Sequence, residues 1–478
     1  MTRLLLELTA APSCWQQNVL ASVKVAVNEI ERLRLLEERK FALHRERASP
    51  EQLHAFERWF ESNASSNNND GTSDKRQELP VAVAPVGDEE GNGLVARRAI
   101  AKGEPFLSVP YTMVLASHLG VGPAAANRAA WQQVASDPLL QHFPSCMLAL
   151  RLLGEASEGA RSFFEPYIAI LPTHFNVPMF YNVADFKYLE GTSLFEPAVK
   201  LLYNSIKQYC YFHALLARMG ARSPIPLERF TVGNYFWALG VVLTRQNEVV
   251  VRGAESVMAL IPGWDLCNHE ASTAIATFSD PHERVITCHA IRAFAAHEQV
   301  RMFYGKRSNE HLLLYSGFVD DANEYDNVQL ELRLDEMKDD PLVKIRRLLI
   351  NKEADVVPIK DDGNVVHYRI DLSGGIVMPA MTRTVQVASM KKANLSAALR
   401  NPDVVGTKAL YHWDDDENLA SLAAHRRRCH EARTHIERHL HDADPESAKH
   451  SALFQRYFVR QLQVIDDAIA NLQRVVPE

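Results

Sequence analysis

The segments IPGWDLCNH (Ile261 to His269) and MFYGKRSN (Met302 to Asn309) bring together side chains that could do chemistry. The Asn268 amide, the His269 imidazole and the Tyr304 phenol can each hold hydrogen bonds around a reacting group. With Trp264 and Asp265 closing a buried-looking strand, they supply the parts of a methyl-transfer site. Such a transfer is an in-line displacement, which gains most from aligning nucleophile, methyl and leaving atom in a narrow channel closed to water. No metal is needed. Taken singly, each residue has a plainer reading. An Asn-His pair makes a turn with satisfied side chains, a Tyr after Met-Phe sits in a core with its hydroxyl at the rim, and a buried Trp is ordinary core.

Two further segments lie upstream, EEGNGL (Glu89 to Leu94) and LTRQN (Leu243 to Asn247). Gly91 and Gly93 flank Asn92 in a turn entering a strand, where glycine lets backbone approach a bulky ligand; alone, such a GxG is often only a turn. In this order the four segments resemble SET-domain methyltransferases. TRQN, IPGWDLCNH and FYGKRSN, with SGF at Ser316 to Phe318, closely resemble the actin-histidine N-methyltransferases, with few gaps from about Glu89 to Phe318. The resemblance implies an α+β fold: a SET-domain β-fold with a pseudoknot, a helical insertion and a C-terminal, mainly helical substrate-binding domain. It implies S-adenosyl-L-methionine as cofactor and actin as the protein substrate, methylated on a histidine tele-nitrogen. It also assigns roles. Glu90, Asn92, Arg245, Asp265, Asn268, His269, Tyr304 and Ser316 would face the cofactor; Asn247, Trp264 and Arg307 the substrate; Tyr304 and Asn247 would serve the transfer itself. Asn92 stands where relatives commonly have an aromatic. Arg307 and Ser316 could equally be capping or surface residues.

These side chains need elements to position them. Phe230 to Gln246 reads as a helix with Thr231 as N-cap and an apolar face. Arg245 and Asn247 are two apart, so they would point to different faces of a continuing helix. Both reach one site only if the helix ends here, and the β-branched Val249, Val250 and Val251 supply such an ending. Short β-prone runs (VAVAPV, GLVARRAI, PFLSVP, then VMALIPGW, STAIATF, VITCHAI, QVRMFY) enclose a helically patterned stretch. The resulting division is an N-terminal helical region with a flexible linker (1–78), a first core part (79–116), a helical insertion (117–226), a second core part (227–318) and a C-terminal, mainly helical domain (319–478). At the start, Trp15, Val19, Val23, Val27, Ile30 and Leu33 form an apolar helical stripe, and ERLRLLEERK is its solvated face. At the end, Phe458, Leu462, Ile465, Ile469 and Leu472 form another, too short to prefer a coiled-coil dimer over packing on the same chain.

At 478 residues the chain suggests two to four domains, and 47% hydrophobic with 23% charged residues is ordinary for a globular protein. A net charge of −7 supplies no field for nucleic acid. The first residues lack a continuous apolar signal segment, and no uncharged run approaches the ~20 residues of a membrane span. The six cysteines form no CxxC, which excludes zinc-knuckle spacing and favours a reducing compartment. These features lead to an expected cytoplasmic protein without nucleic-acid or membrane partners; a monomer is expected too, though the sequence itself is silent on oligomeric state, and a nuclear fraction is left open.

Acceptor choice rests on Asn247 and Trp264. An imidazole with a pKa near ~6.5 is mostly neutral in the cell, whereas a lysine near ~10.4 must lose a proton at about 4 kcal/mol at pH ~7.4. A histidine enzyme therefore needs to orient a ring, which an amide and a flat wall can do. A lysine methyltransferase of the same fold and a catalytically silent binding module are the alternatives.

Overall fold

The computed structural model describes residues 19–41, 48–64, 79–87, 90–123, 127–252, 255–272, 274, 277–333, 341–350, 357–358, 365–371, 387, 390–400, 416–442 and 448–475. Trp15 and most of the expected linker lie outside them. The chain divides into two compact units. The first comprises Met1–Lys187, Glu196–Gly305 and Leu313–Gly317; the second comprises Tyr188–Phe195, Lys306–Leu312 and Phe318–Glu478. The segments 1–78, 79–116, 117–226 and 227–318 thus share the first unit apart from short pieces, and 319–478 lies in the second.

Among the described residues, three small sheets build the β part of the first unit. The strands are β1 (Val81–Gly87), β2 (Gly91–Ala96), β3 (Pro105–Pro110), β4 (Leu115–Ala116), β5 (Asn247–Arg252), β6 (Glu255–Leu260), β7 (Asn268–His269), β8 (Thr277–Asp280), β9 (Val285–His289) and β10 (Gln299–Met302). Their orders are β1-β2-β10-β7, β3-β9-β8 and β4-β6-β5. β10 is the key strand: antiparallel to β2, with Val300 opposite Leu94, and parallel to β7, with Arg301 opposite Asn268 and Met302 opposite His269. A two-residue strand such as β7 has no local reason to form, so β10 holds the Asn-His pair in place.

The expected strand ending at Asp265 stops earlier, at Leu260. Pro262 has no N–H to give a ladder, and Gly263 takes φ 85°, a left-handed conformation that turns the chain into the 3-10 turn Trp264–Leu266. A Cβ at Gly263 would lie 3.0 Å from the Phe60 ring.

Phe60 belongs to the helix Pro50–Ala64, whose start is a capping box: Ser49 N–H donates to Gln52 Oε1 (2.8 Å) and Gln52 N–H to Ser49 Oγ (3.4 Å). This helix buries Leu53, Phe56 and Phe60, and its Glu57 accepts from the Val83 N–H at 2.9 Å and from Arg97 at 3.2 Å. Through these contacts the helix Pro50–Ala64 is tied to the strands that follow it. In the preceding helix Val19–Phe41, the stripe residues Val23, Val27, Ile30 and Leu33 are buried as expected.

Between β4 and β5 the chain is helical from Arg128 onward. Pro144–Glu158 is its centre, with Leu148, Ala149, Leu150, Leu152 and Leu153 wholly buried. Val232–Arg245 follows, capped by Thr231, whose hydroxyl accepts from the Asn234 N–H at 3.1 Å. The helix ends at Arg245 and Gln246 is extended, so Asn247 opens β5.

The second unit has an antiparallel sheet, β11 (Asn327–Arg333), β12 (Val357–Pro358) and β13 (Val365–Asp371), in the order β11-β13-β12. Its helices Asp416–Asp442 and Ser451–Val475 share a core in which Val328, Leu330, Cys429, Val464, Ile465, Ile469 and Leu472 are buried. The C-terminal stripe thus packs on its own chain. Among the described residues no helix is long and apolar enough to cross a membrane, and no group of three His, Cys, Asp or Glu could hold a metal.

Candidate active site

The site is organised around β7 and the end of β10. Tyr304 follows β10, and its hydroxyl donates to the Cys267 carbonyl at 2.9 Å, reaching back across the residue that precedes Asn268. Its backbone N–H donates to His269 Nδ1 at 3.3 Å, and the two rings lie 5.2 Å apart. This bond fixes the orientation of the phenol. Asn268 is half-buried, yet its Nδ2 is fully enclosed and has no hydrogen-bond partner.

Arg245 and Asn247, placed on either side of the helix end, meet the same neighbourhood. The Arg245 guanidinium donates to the Asp265 carbonyl, and Asn247 Nδ2 donates to the Arg245 carbonyl at 3.1 Å. One N–H of the Asn247 amide is thus used locally, and the amide still has a second N–H and its Oδ1 to offer a ligand.

Three expected ligand contacts take other roles. Asp265 is 4% exposed and accepts the Tyr167 hydroxyl on Oδ2, so its side chain braces the helical stretch against the 3-10 turn instead of facing a cofactor. Trp264 is 2% exposed and packs 6.2 Å from the Phe106 ring; it is core behind the site and not an open wall for a substrate ring. The Glu90 carboxylate is gripped by Arg301, at 2.9 and 2.8 Å, leaving the backbone of the Glu90–Asn92 turn to approach a ligand. Gly91 there takes φ 71°, and a Cβ on Gly93 would lie 2.8 Å from Gln299 Nε2. Asn92 and Ser316 are half-buried, Ser316 at the end of the helix Asn309–Ser316. Arg307 belongs to the second unit, where its carbonyl accepts from Asn323 at 2.9 Å. Asn309 of the same RSN run is wholly buried, bonding Asp326 and Asp320 at 2.8 to 3.0 Å, and is structural. Sequence reasoning missed Tyr167 and Arg301. Nothing local marks Tyr167, whereas a charged residue within the short strand QVRM was a usable signal for Arg301.

Buried polar atoms almost always have partners, so the exceptions need a reason. Such atoms occur in several parts of the molecule, and in the Asn-His strand the enclosed, unpartnered atom is Asn268 Nδ2. An enclosed amide donor at that position fits a residue that completes its hydrogen bonds with a bound molecule.

Asp265 also yields a stability prediction. Burial raises its carboxyl from the ordinary 3.8 to about 6, against the Arg245 charge and the Tyr167 hydrogen bond, which lower it. Between those values the folded protein holds a proton that the unfolded chain has lost, so this group's contribution to stability falls as pH rises through the window. The full penalty, on the order of 3 kcal/mol, is reached above it. Asp265→Asn keeps an acceptor for Tyr167 and cannot ionise. Its unfolding free energy relative to the parent should therefore rise between about pH 4 and pH 7. Urea unfolding at several pH values checks this, and parallel curves would refute it.

No family model matches the chain. An actin-histidine N-methyltransferase from Gallus gallus is 34% identical over 247 residues, covering 51% of this chain and 40% of that protein. One from Homo sapiens is 33% identical over 246 residues, with the same coverages. The match thus takes up less than half the length of these relatives. Among solved structures, the SET domain of LSMT bound to lysine and AdoHcy superposes with a TM-score of 0.63 at 18% identity, over 89% of this chain and 91% of that one. Rubisco LSMT bound to AdoMet gives a TM-score of 0.59 at 18% identity, over 89% and 92%. The α+β fold is therefore the SET-domain fold, as the motifs implied.

Proposed function

We propose that the protein is an S-adenosylmethionine-dependent protein-histidine N-methyltransferase whose substrate is a histidine of actin. The observation that carries this reading is the convergence of Asn268, His269 and Tyr304 on the paired strands β7 and β10, with an enclosed amide donor left for a ligand. The names of the relatives that match about half of the chain support histidine and actin.

When bound, S-adenosylmethionine supplies a methyl group on a positively charged sulfur. The Asn268 amide and the Gly91–Gly93 backbone would hold it, and the Tyr304 phenol, oriented by its bond to the Cys267 carbonyl, would help to align the reacting groups. A donor set of oxygens and amides, preorganised and shielded from water, suits a reaction that needs alignment more than acid or base strength. With Trp264 in the core, acceptor choice falls to Asn247. Its Oδ1 can accept the N–H of a neutral imidazole, which fixes the tautomer and leaves the other ring nitrogen with a free lone pair. A lysine would first have to lose its proton.

The test is transfer of labelled methyl from S-adenosylmethionine to purified actin, which the parent enzyme should carry out. Asn247→Leu should lower transfer to a histidine peptide by about tenfold, the worth of one good hydrogen bond, while S-adenosylhomocysteine affinity is unchanged. Equal loss of both would place Asn247 in the scaffold.

A further inference from the structure

Arg301 has no part in the transfer described above, yet it touches both backbone segments assigned to the cofactor. Its Nη2 donates to both carboxylate oxygens of Glu90 at 2.9 and 2.8 Å, and its Nη1 donates to the His269 carbonyl at 3.1 Å. Glu90 immediately precedes Gly91, where φ 71° begins the glycine turn. His269 closes β7, and Arg301 itself lies opposite Asn268 in the parallel register. The neighbouring Glu270 does not compete for it, because Arg292 holds that carboxylate at 2.6 and 2.9 Å.

We infer that Arg301 is a positioning residue: it staples the glycine turn to the Asn-His strand and holds the two at the spacing that cofactor binding requires. This inference rests on the cofactor reading given above. Side-chain exposures of 26% for Arg301 and 38% for Glu90 mean that water and salt screen the pair, so it adds little to folding stability. Its value is geometric. A guanidinium presents several N–H groups in a rigid fork, and here they are divided between a carboxylate on one segment and a carbonyl on the other. A turn containing two glycines loses much conformational freedom when it closes on a ligand, and fixing it beforehand removes part of that cost from binding. A lysine ammonium could pair with Glu90 but has no fork to span both partners.

Calorimetric titration with S-adenosylhomocysteine, using the full chain and its variants Arg301→Ala, Arg301→Lys and Glu90→Gln with and without Arg301→Ala, tests this. Unfolding midpoints are measured without ligand in parallel. Arg301→Ala should weaken binding by about three- to tenfold, as the loss of one or two net hydrogen bonds implies, with little change in the ligand-free midpoint. Arg301→Lys should recover part of the loss. Glu90→Gln added to Arg301→Ala should cost nothing more, because the shared contact is already gone. Unchanged binding by Arg301→Ala, or a loss of affinity matched by a comparable loss of ligand-free stability, would overturn the inference while leaving the cofactor reading intact. A parent protein that does not bind S-adenosylhomocysteine would overturn both.

Discussion

Tyr304→Phe is expected to slow methyl transfer by about two to three orders of magnitude, the loss typical of removing one preorganised polar group from a reacting centre. The change is confined to one atom. The ring keeps its place 5.2 Å from His269, and the backbone N–H keeps His269 Nδ1 as its acceptor. What disappears is the hydroxyl that bonds the Cys267 carbonyl, and with it the oxygen proposed to align the reacting groups. The unpaired carbonyl should cost roughly 1 kcal/mol of stability, too little to unfold the protein. Single-turnover rates at saturating cofactor measure the chemical step, and circular dichroism checks the fold. A rate within twofold of the parent's would make Tyr304 an anchor of the Cys267 loop and nothing more.

Asn268→Ala should behave in a way that most binding-site variants do not: affinity falls while the ligand-free protein is no less stable. The Asn268 Nδ2 is enclosed without a partner, so in the ligand-free state it carries a desolvation cost of about 1 to 3 kcal/mol with nothing in return. Removing the amide relieves that cost, which offsets the packing lost with the side chain. Bound ligand that accepts from Nδ2 is then missing a contact, and affinity should drop by about tenfold or more. Thermal melts with and without S-adenosylhomocysteine read both quantities at once. The variant's ligand-free midpoint should stay level or rise, and its ligand-induced shift should shrink sharply. A lower midpoint with an undiminished shift would show instead that Asn268 serves the loop.

Local signals in the sequence carried the helix end at Arg245 well. Thr231 could be read as a cap, and the run Val249 to Val251 announced the strand that separates Arg245 from Asn247. The SET fold was legible for a different reason, the order of four short motifs. Long-range pairing was not legible. β7 exists because β10 lies beside it, and no pattern within Asn268–His269 states that. The Tyr167–Asp265 bond joins residues 98 apart, so Asp265 read as a ligand contact when it is a buried brace. Trp264 misled for the opposite reason: its type suits both a wall and a core, and only its burial decides. Pro262 and Gly263 did carry a local warning, since neither suits a continuing strand, and the chain turns there.

Acceptor identity is the central claim, and the position of the added methyl group tests it most directly. Actin incubated with the enzyme and S-adenosylmethionine is digested, and fragment spectra locate the added mass. Transfer to an imidazole nitrogen of one histidine is the expected result, with little change in rate from about pH 7.5 to 9, because the ring is already neutral there. A methyl on a lysine amine, with a rate that climbs about tenfold per pH unit as the neutral amine accumulates, would contradict it.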